Sequence, residues 1–280
     1  MKNLAGRTAF IPGAASGIGF AMAQAFVQEG MNVMLADIEV SALNDAAWML
    51  RKHGAAIGKV ICDVADANSV MQAAQTTFAM FGSVHVVCNN AGVAGGSGVD
   101  DISPDTWRWV VDVNLMGVLH GVAAFLPHIR AHGEGGHFVN TASMAGLNAG
   151  LGFSPYVASK FAVVAMSEGL AKQIAPLGIG VTVLCPGFVR TNIGSSARNR
   201  SDRYGPAKKL DPASTAGQLA RQVAALGAAG LDPADVAAQV LAAIHSDDLY
   251  VFTHTGHDWR AELQDRFDSI LTAMDNAAVR

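Results

Sequence analysis

The stretch Thr8-Ala9-Phe10-Ile11-Pro12-Gly13-Ala14-Ala15-Ser16-Gly17-Ile18-Gly19 decides the fold. An apolar, β-rich run leads straight into a G-x-x-x-G-x-G turn, and a helical pattern starts at its last glycines, the signature of a first βα unit. Glycines at Gly13, Gly17 and Gly19 allow backbone to approach a ligand closely, and a helix opening at Ser16-Gly17-Ile18 offers free N–H groups and the positive end of its dipole. A pyrophosphate is the ligand such a turn suits. The plain alternative is a tight strand-to-helix connection that holds nothing.

Outward from that turn the same rhythm continues: Asn32 to Ala36, Gly58 to Cys62, Val84 to Cys88, His137 to Asn140 and Val181 to Cys185 read as strands. Helical patterns at Gly19 to Gln28, Ser41 to Lys52, Asn68 to Phe81, Pro104 to about Arg130 and Tyr156 to Pro176 separate them. Strands apolar nearly throughout are those covered by helices on both faces, so the fold class is α/β, a single doubly wound (Rossmann-type) parallel sheet. After Cys185 the rhythm breaks for about 45 residues. It resumes at Asp232-Pro233, a helix N-cap and first position, then runs through Ala234 to His245, the strand Leu249 to Thr253 and a helix from Trp259 to Met274. The division expected is one domain over 1–280, with 188–230 as a substrate-binding insert and 231–280 as a helix-strand-helix completing the sheet and pocket.

Composition narrows the function classes. The 280 residues are 51% hydrophobic and 15% charged, well under the usual charged fraction of about 25%. Nineteen basic and 23 acidic residues give a formal charge of -4 without a basic stripe, which argues against nucleic acid. Cys62, Cys88 and Cys185 stand too far apart for a C-x-x-C motif and read as buried thiols. The apolar window from Gly135 toward Lys160 is interrupted by Asn, Thr, Ser and Pro, and no room for a signal peptide precedes the first strand, so a cytoplasmic protein with no membrane partner is expected.

Two further groups carry chemistry. Asp37 closes the second strand, 18 residues after Gly19, where a carboxylate accepts hydrogen bonds from adenosine ribose hydroxyls and repels a 2′-phosphate. Neither Ile38 nor Glu39 supplies a cation, so NAD is favoured over NADP; a capping or surface aspartate is the alternative. Tyr156 and Lys160 lie at i and i+4, on one helix face, with Ser143 thirteen residues upstream and Asn114 earlier. A tyrosine phenol ordinarily titrates near 10, so an ammonium and an oxidised nicotinamide nearby are needed to make it a base at neutral pH.

Taken in order, these motifs resemble those of the short-chain dehydrogenase/reductase family over most of the chain, with a weaker resemblance to its aryl Cα-dehydrogenase subgroup in Thr191 to Ser195, the Arg198/Arg200/Tyr204 stretch and Leu249 to Thr253. The resemblance implies a catalytic tetrad of Asn114, Ser143, Tyr156 and Lys160, with Asn114 holding a water of a proton relay. It also implies that Asp63-Val64 borders the adenine, that Asn89-Asn90-Ala91-Gly92 supports the cofactor, and that Pro186-Gly187 with Val189 and Thr191 borders the nicotinamide. The family turn usually begins with Thr where this chain has Pro12, which removes one backbone donor.

The function these features imply is NAD-dependent interconversion of a bulky, aryl or cyclic, secondary alcohol and its ketone by an enzyme acting on a small molecule, with Tyr156 as general acid/base. An epimerase or lyase that retains its cofactor and a non-enzymatic NAD(H)-sensing protein are the alternatives. The apolar helices at 104–130 and 156–176 suit subunit contacts, and a homo-oligomer, tetramer or dimer, is what the resemblance implies. His254-x-x-His257 with His245 lacks a completing ligand, so no metal is expected. Residues from about Phe188 to Gly230 read as a mobile lid over a roomy apolar pocket closed on its other side by the segment after Ser143. Arg198, Arg200 and Arg203 are open to two readings, anchors for an anionic or phenolic substrate end or solvated lid charges.

Overall fold

A computed structural model describes residues 1–51, 56–96, 98–99, 102–150, 154–207 and 211–278. Lys52, read as the end of the second helix, and positions 208–210 of the expected insert lie outside them. Seven strands form one sheet, ordered β3-β2-β1-β4-β5-β6-β7: β1 (Thr8–Pro12), β2 (Asn32–Asp37), β3 (Ile57–Ile61), β4 (Val86–Asn89), β5 (Gly136–Thr141), β6 (Ile179–Cys185) and β7 (Tyr250–Phe252). Every pairing is parallel. The order reverses between β1 and β4, and in such sheets a crevice opens outside the carboxyl ends of the strands at that point.

Alternate residues of each strand serve opposite faces, and here both faces are apolar. Ala9 and Ile11 of β1 join Val33 and Leu35 of β2 in a core against α1 (Gly17–Gln28) and α8 (Pro233–Ser246). Phe10 and Met34, one residue out of phase, face α3 (Ala67–Phe81) and α5 (Gly117–His132), where Phe10 packs on Phe125 with ring centroids 4.5 Å apart. The other helices are α2 (Val40–Arg51), α4 (Pro104–Val111), α6 (Pro155–Ile174), α7 (Thr215–Ala228) and α9 (His257–Ala278). Helix starts follow their caps: the side chains of Asp66, Ser103, Ser154 and Asp232 each accept a backbone N–H two or three residues on, and Pro155 and Pro233 occupy first positions.

Two features depart from the rhythm read in the sequence. The helical pattern from Pro104 is continuous to His132 but holds a π turn, Asp112–Met116, between α4 and α5. Among the described residues this run, Pro104–His132, is the one helix long and apolar enough to cross a membrane by length and composition. Val118, Val122, Phe125 and Ile129 of α5 pack on the sheet, as in a core helix. The second departure is α7, an amphipathic helix inside the stretch that shows no βα rhythm, preceded by 3-10 turns at Ile193–Asn199 and Asp202–Tyr204. All three cysteines are free and buried.

Candidate active site

A cleft of about 1190 Å³ opens at the carboxyl ends of the strands. That exceeds the roughly 300–1,000 Å³ of a single-ligand pocket, leaving room for two molecules side by side. The glycine turn forms its floor. Gly13 (φ +72°) and Gly17 (φ +57°) occupy the left-handed region, and a Cβ at Gly13 would come within 2.9 Å of the Ala91 backbone. Asn90 clamps the turn by donating to the carbonyls of Pro12 (3.2 Å) and Gly13 (3.3 Å). Pro12 thus contributes its acceptor, and its missing donor costs this clamp nothing.

The Ser16 side chain makes no capping bond, so the first N–H groups of α1 stay open beside the cleft walls formed by Gly13, Ser16, Gly17 and Ile18. Gly19 is different. A Cβ there would lie 2.2 Å from the Gly13 carbonyl oxygen, so this glycine lets the helix pack against its own turn and is not a cleft wall.

Three carboxylates line the far wall. Asp37 accepts the N–H groups of Ala15 and Glu39, both at 3.0 Å, which aims it at the turn. Asp63 accepts from Ala65 N–H (3.0 Å) and pairs with Arg203 (3.2 Å), with Val64 beside it. Glu39 takes a two-pronged pair from Arg198 and a bond from Asn199, and the guanidinium holds its carboxyl below the usual range. Arg200 donates to the carbonyls of Gly205 and Tyr204 and to Thr106, and lies over the Trp109 ring. Each of the three arginines is thus bonded to the protein, with the Arg198 and Arg203 side chains still exposed to solvent.

At the inner end, Ser143, Tyr156 and Lys160 converge on the cleft with Gly92, Pro186 and Gly187. Ser143 follows β5, accepts Ala145 N–H (3.1 Å) and donates to the Pro186 carbonyl (3.3 Å). Tyr156 and Lys160 project from the start of α6, the Lys160 ammonium 5.7 Å from the Tyr156 ring centroid. That ammonium donates to the Thr141 carbonyl (2.7 Å), and burial brings Lys160 down to about 8, opposed by Cys185. Burial pushes the Tyr156 phenol up, with Ser143 opposing it. In the chain by itself, desolvation of the phenolate outweighs the neighbours.

Asn114 stands behind this group. It occupies the π turn, fully buried, accepts Val93 N–H (2.8 Å) and donates to the Val93 carbonyl (3.0 Å) and to Ser159 (3.2 Å). It does not line the cleft, but its Oδ1 and the Lys160 Nζ lie 3.5 and 3.7 Å from where a Cβ of Gly92 would sit. π turns recur at such sites because they re-aim one side chain within a helix.

Val189 and Thr191 also line the cleft, Val189 bridging to Leu231 and Thr191 lying 3.1 Å from the Cβ position of Gly17. Motif reading missed the other wall: Leu219, Val223 and Gly227 of α7, Trp259 and Glu262 of α9, and Asn148. These residues belong to the insert at 188–230, the unit from 231 onward and the segment after Ser143. His254 stands edge-on to Trp259 while His257 is exposed, and the two form no ligand set. A different trio, His85, His132 and Glu134, brings its ligand atoms within 4.8 Å. Each ring, however, accepts a backbone N–H at Nδ1 (from Thr8 and Glu134) and donates from Nε2 (to Glu134 and the Val84 carbonyl), leaving no lone pair for a cation.

A sequence model of the family described as short chain dehydrogenase matches residues 7–202. The chain is 29% identical over 275 residues to a C alpha-dehydrogenase of Sphingobium sp., covering 98% of this chain and 88% of that one. It is 37% identical over 201 residues to 3beta-hydroxysteroid dehydrogenase 2 of Eggerthella lenta, covering 71% and 77%. Among solved structures, a short chain dehydrogenase/reductase from Burkholderia phymatum in complex with NAD superposes with a TM-score of 0.92 at 35% identity, covering 98% of this chain and 97% of that one.

Proposed function

This chain belongs to the short-chain dehydrogenase family, oxidoreductases acting on CH–OH groups, and from that premise we propose that it interconverts a bulky secondary alcohol and its ketone with NAD. The observation that carries this reading is the convergence of Ser143, Tyr156 and Lys160 at one end of a cleft whose other end holds Asp37 beside an uncapped helix start.

NAD, when bound, supplies the acceptor for the hydride leaving the carbinol carbon, and a positive charge near the reacting oxygen. The chain's residues do the rest. The open N–H groups of α1 bind the pyrophosphate, and Asp37 accepts the ribose hydroxyls. The Tyr156 oxygen takes the hydroxyl proton in oxidation and returns it in reduction, while Ser143 donates to the same substrate oxygen. A raised phenol pKa keeps Tyr156 protonated, the form that serves ketone reduction. Lys160, at about 8, remains an ammonium at neutral pH and favours the phenolate when oxidation requires it. Asn114 is a positioning residue that ties the Val93 backbone to α6 through Ser159.

The segment 188–230 serves as the substrate lid, its α7 presenting small and aliphatic side chains to the cleft. Exposed apolar side chains such as Phe267, Leu271 and Met274 suit a homo-oligomer, and three buried thiols suit the reducing cytoplasm. An absorbance screen for NADH formation across aryl, alicyclic and steroid secondary alcohols tests the reading. Oxidation of at least one of them with NAD better than NADP is expected; no turnover, or an NADP preference, overturns it.

A further inference from the structure

The two ends of the cleft treat charge differently. Among its described lining residues there are four carboxylates, Asp37, Glu39, Asp63 and Glu262. The first three lie at or just beyond the carboxyl ends of β2 and β3, held by backbone N–H groups or arginines as described above. Glu262 comes from α9, beside Trp259 and across from the small face of α7, and its one partner among the described residues is the Asn148 amide, which donates to Oε2.

That amide is itself fixed. Asn148 Oδ1 accepts the Gly150 N–H (3.1 Å), and the Asn148 N–H donates to the Met144 carbonyl (3.2 Å), one residue beyond Ser143. A short, bonded segment therefore connects the serine at the inner end to the carboxylate at the outer one, and no described residue bonds Oε1. Among the described residues no arginine or lysine is paired with Glu262. Of the described arginines lining the cleft, Arg198, Arg200 and Arg203 are bonded at the cofactor side, and Arg190 pairs with Asp232 at 2.5 Å. Between the two ends, Phe188 and Trp259 pack on one another, ring centroids 6.2 Å apart and planes tilted by 56°, an aromatic patch on the cleft wall.

We infer that Glu262, held by Asn148, is a specificity-determining residue: it accepts a hydrogen bond from a hydroxyl at the end of the substrate remote from the carbinol, and it repels a carboxylate there. The inference rests on the alcohol–ketone reading and deepens it to a class, neutral ring-bearing alcohols or ketones with a second, distal hydroxyl. A hydrogen bond to a charged acceptor at an exposed site corresponds to about tenfold in affinity, and an ionised group facing a carboxylate is disfavoured by a comparable factor.

The test uses three ketone probes, 4-acetylbiphenyl and its 4′-hydroxy and 4′-carboxy derivatives, titrated calorimetrically into the full-length protein with NADH and assayed separately for reduction. The hydroxy ketone should bind about tenfold more tightly than the parent, and the carboxy ketone more weakly than the parent. Glu262→Ala should erase the hydroxyl preference. Glu262→Gln, which keeps an acceptor but removes the charge, should chiefly relieve the penalty on the carboxylate. Asn148→Ala should weaken the hydroxyl preference through KM, with α9 intact by circular dichroism. A hydroxy-to-parent affinity ratio near one, a ratio unchanged in Glu262→Ala, or no binding of the hydroxy ketone at millimolar concentration overturns the inference. Selective binding without any reduction by NADH would instead overturn the alcohol–ketone reading and leave the binding preference standing. Reduction of all three ketones alike in wild type and variants would do the reverse.

Discussion

The two ends of the sheet are built from the same residue types and put them to opposite uses. Beyond the amino ends of the central strands, Arg7 and His85 both bond Glu134, the His132 ring is bonded at both nitrogens, and His137 bonds Thr182, whose hydroxyl donates to the Asp248 carbonyl. Most of these polar groups are satisfied inside the protein, although the buried Nδ1 of His137 has no hydrogen-bond partner. Beyond the carboxyl ends, the α1 N–H groups and, among the described residues, one oxygen of Glu262 are left without such partners. Bonds left open inside a cleft are what a ligand can complete, so chemistry belongs at one end and stability at the other. Substitutions at the two ends should separate cleanly, rate from melting temperature.

The largest expected effect is at Tyr156. Tyr156→Phe should lower turnover by roughly 10² to 10⁴-fold with NADH affinity kept, read by steady-state kinetics and fluorescence titration. Retention of more than about a tenth of the activity would break the assignment of the open end to acid/base chemistry. Lys160→Met should lose both rate and cofactor affinity in the same two assays.

Next in size is cofactor choice. The sequence around Asp37 shows no cation, but the fold brings Arg198 to Glu39 from 159 positions away. Asp37→Ala should narrow the NAD preference about tenfold. Adding Glu39→Gln, which frees Arg198 from its pair, should bring NADP to near parity, and the ratio of kcat/KM values for the two cofactors decides it. If Glu39→Gln adds nothing to Asp37→Ala, the arginine does not reach the ribose.

The closed end should show itself in stability. Burial brings His137 down to about 3, so the folded protein holds it neutral while the unfolded chain protonates it near its ordinary value. Between those two pH values the unfolded state binds the extra proton, so stability falls as pH drops below about 6.5 toward 3. His137→Gln should flatten that fall by a few degrees in melting temperature while kinetics at pH 7 stay unchanged. The smallest effect is a null one: zinc or a chelator should leave the melting temperature unmoved within about 1 °C, since the His85 and His132 nitrogens are already bonded. A zinc-dependent rise that vanishes in His132→Gln would show that the amino end also holds bonds open.

Much of the cofactor side was legible in the sequence because it is local. A turn such as Pro12 to Gly19 has its conformation set by its own glycines, and Tyr156 and Lys160 share a face by helical geometry alone. The strand and helix order followed from periodicity, and with it the parallel sheet and the crevice at its reversal. Even there two assignments needed the folded chain: Gly19 serves packing within the turn, and Asn114 works from behind the cleft through Val93 and Ser159.

What the sequence by itself determined, then, are features governed by neighbours within a few positions: most of the elements, the Asp232-Pro233 cap, the phosphate-suited turn and the tyrosine–lysine face. What only the tertiary structure decided is each contact made across the chain. Arg198 meets Glu39, Tyr204 bonds Asp112 and Asn148 holds Glu262, at separations of 159, 92 and 114 positions. No periodicity records such pairs, because a polar side chain on an irregular segment carries no signal of its partner until packing of the sheet and helices fixes where the segment lies. The substrate end is made of those contacts, and the specificity proposed for Glu262 is a property of the fold more than of any motif.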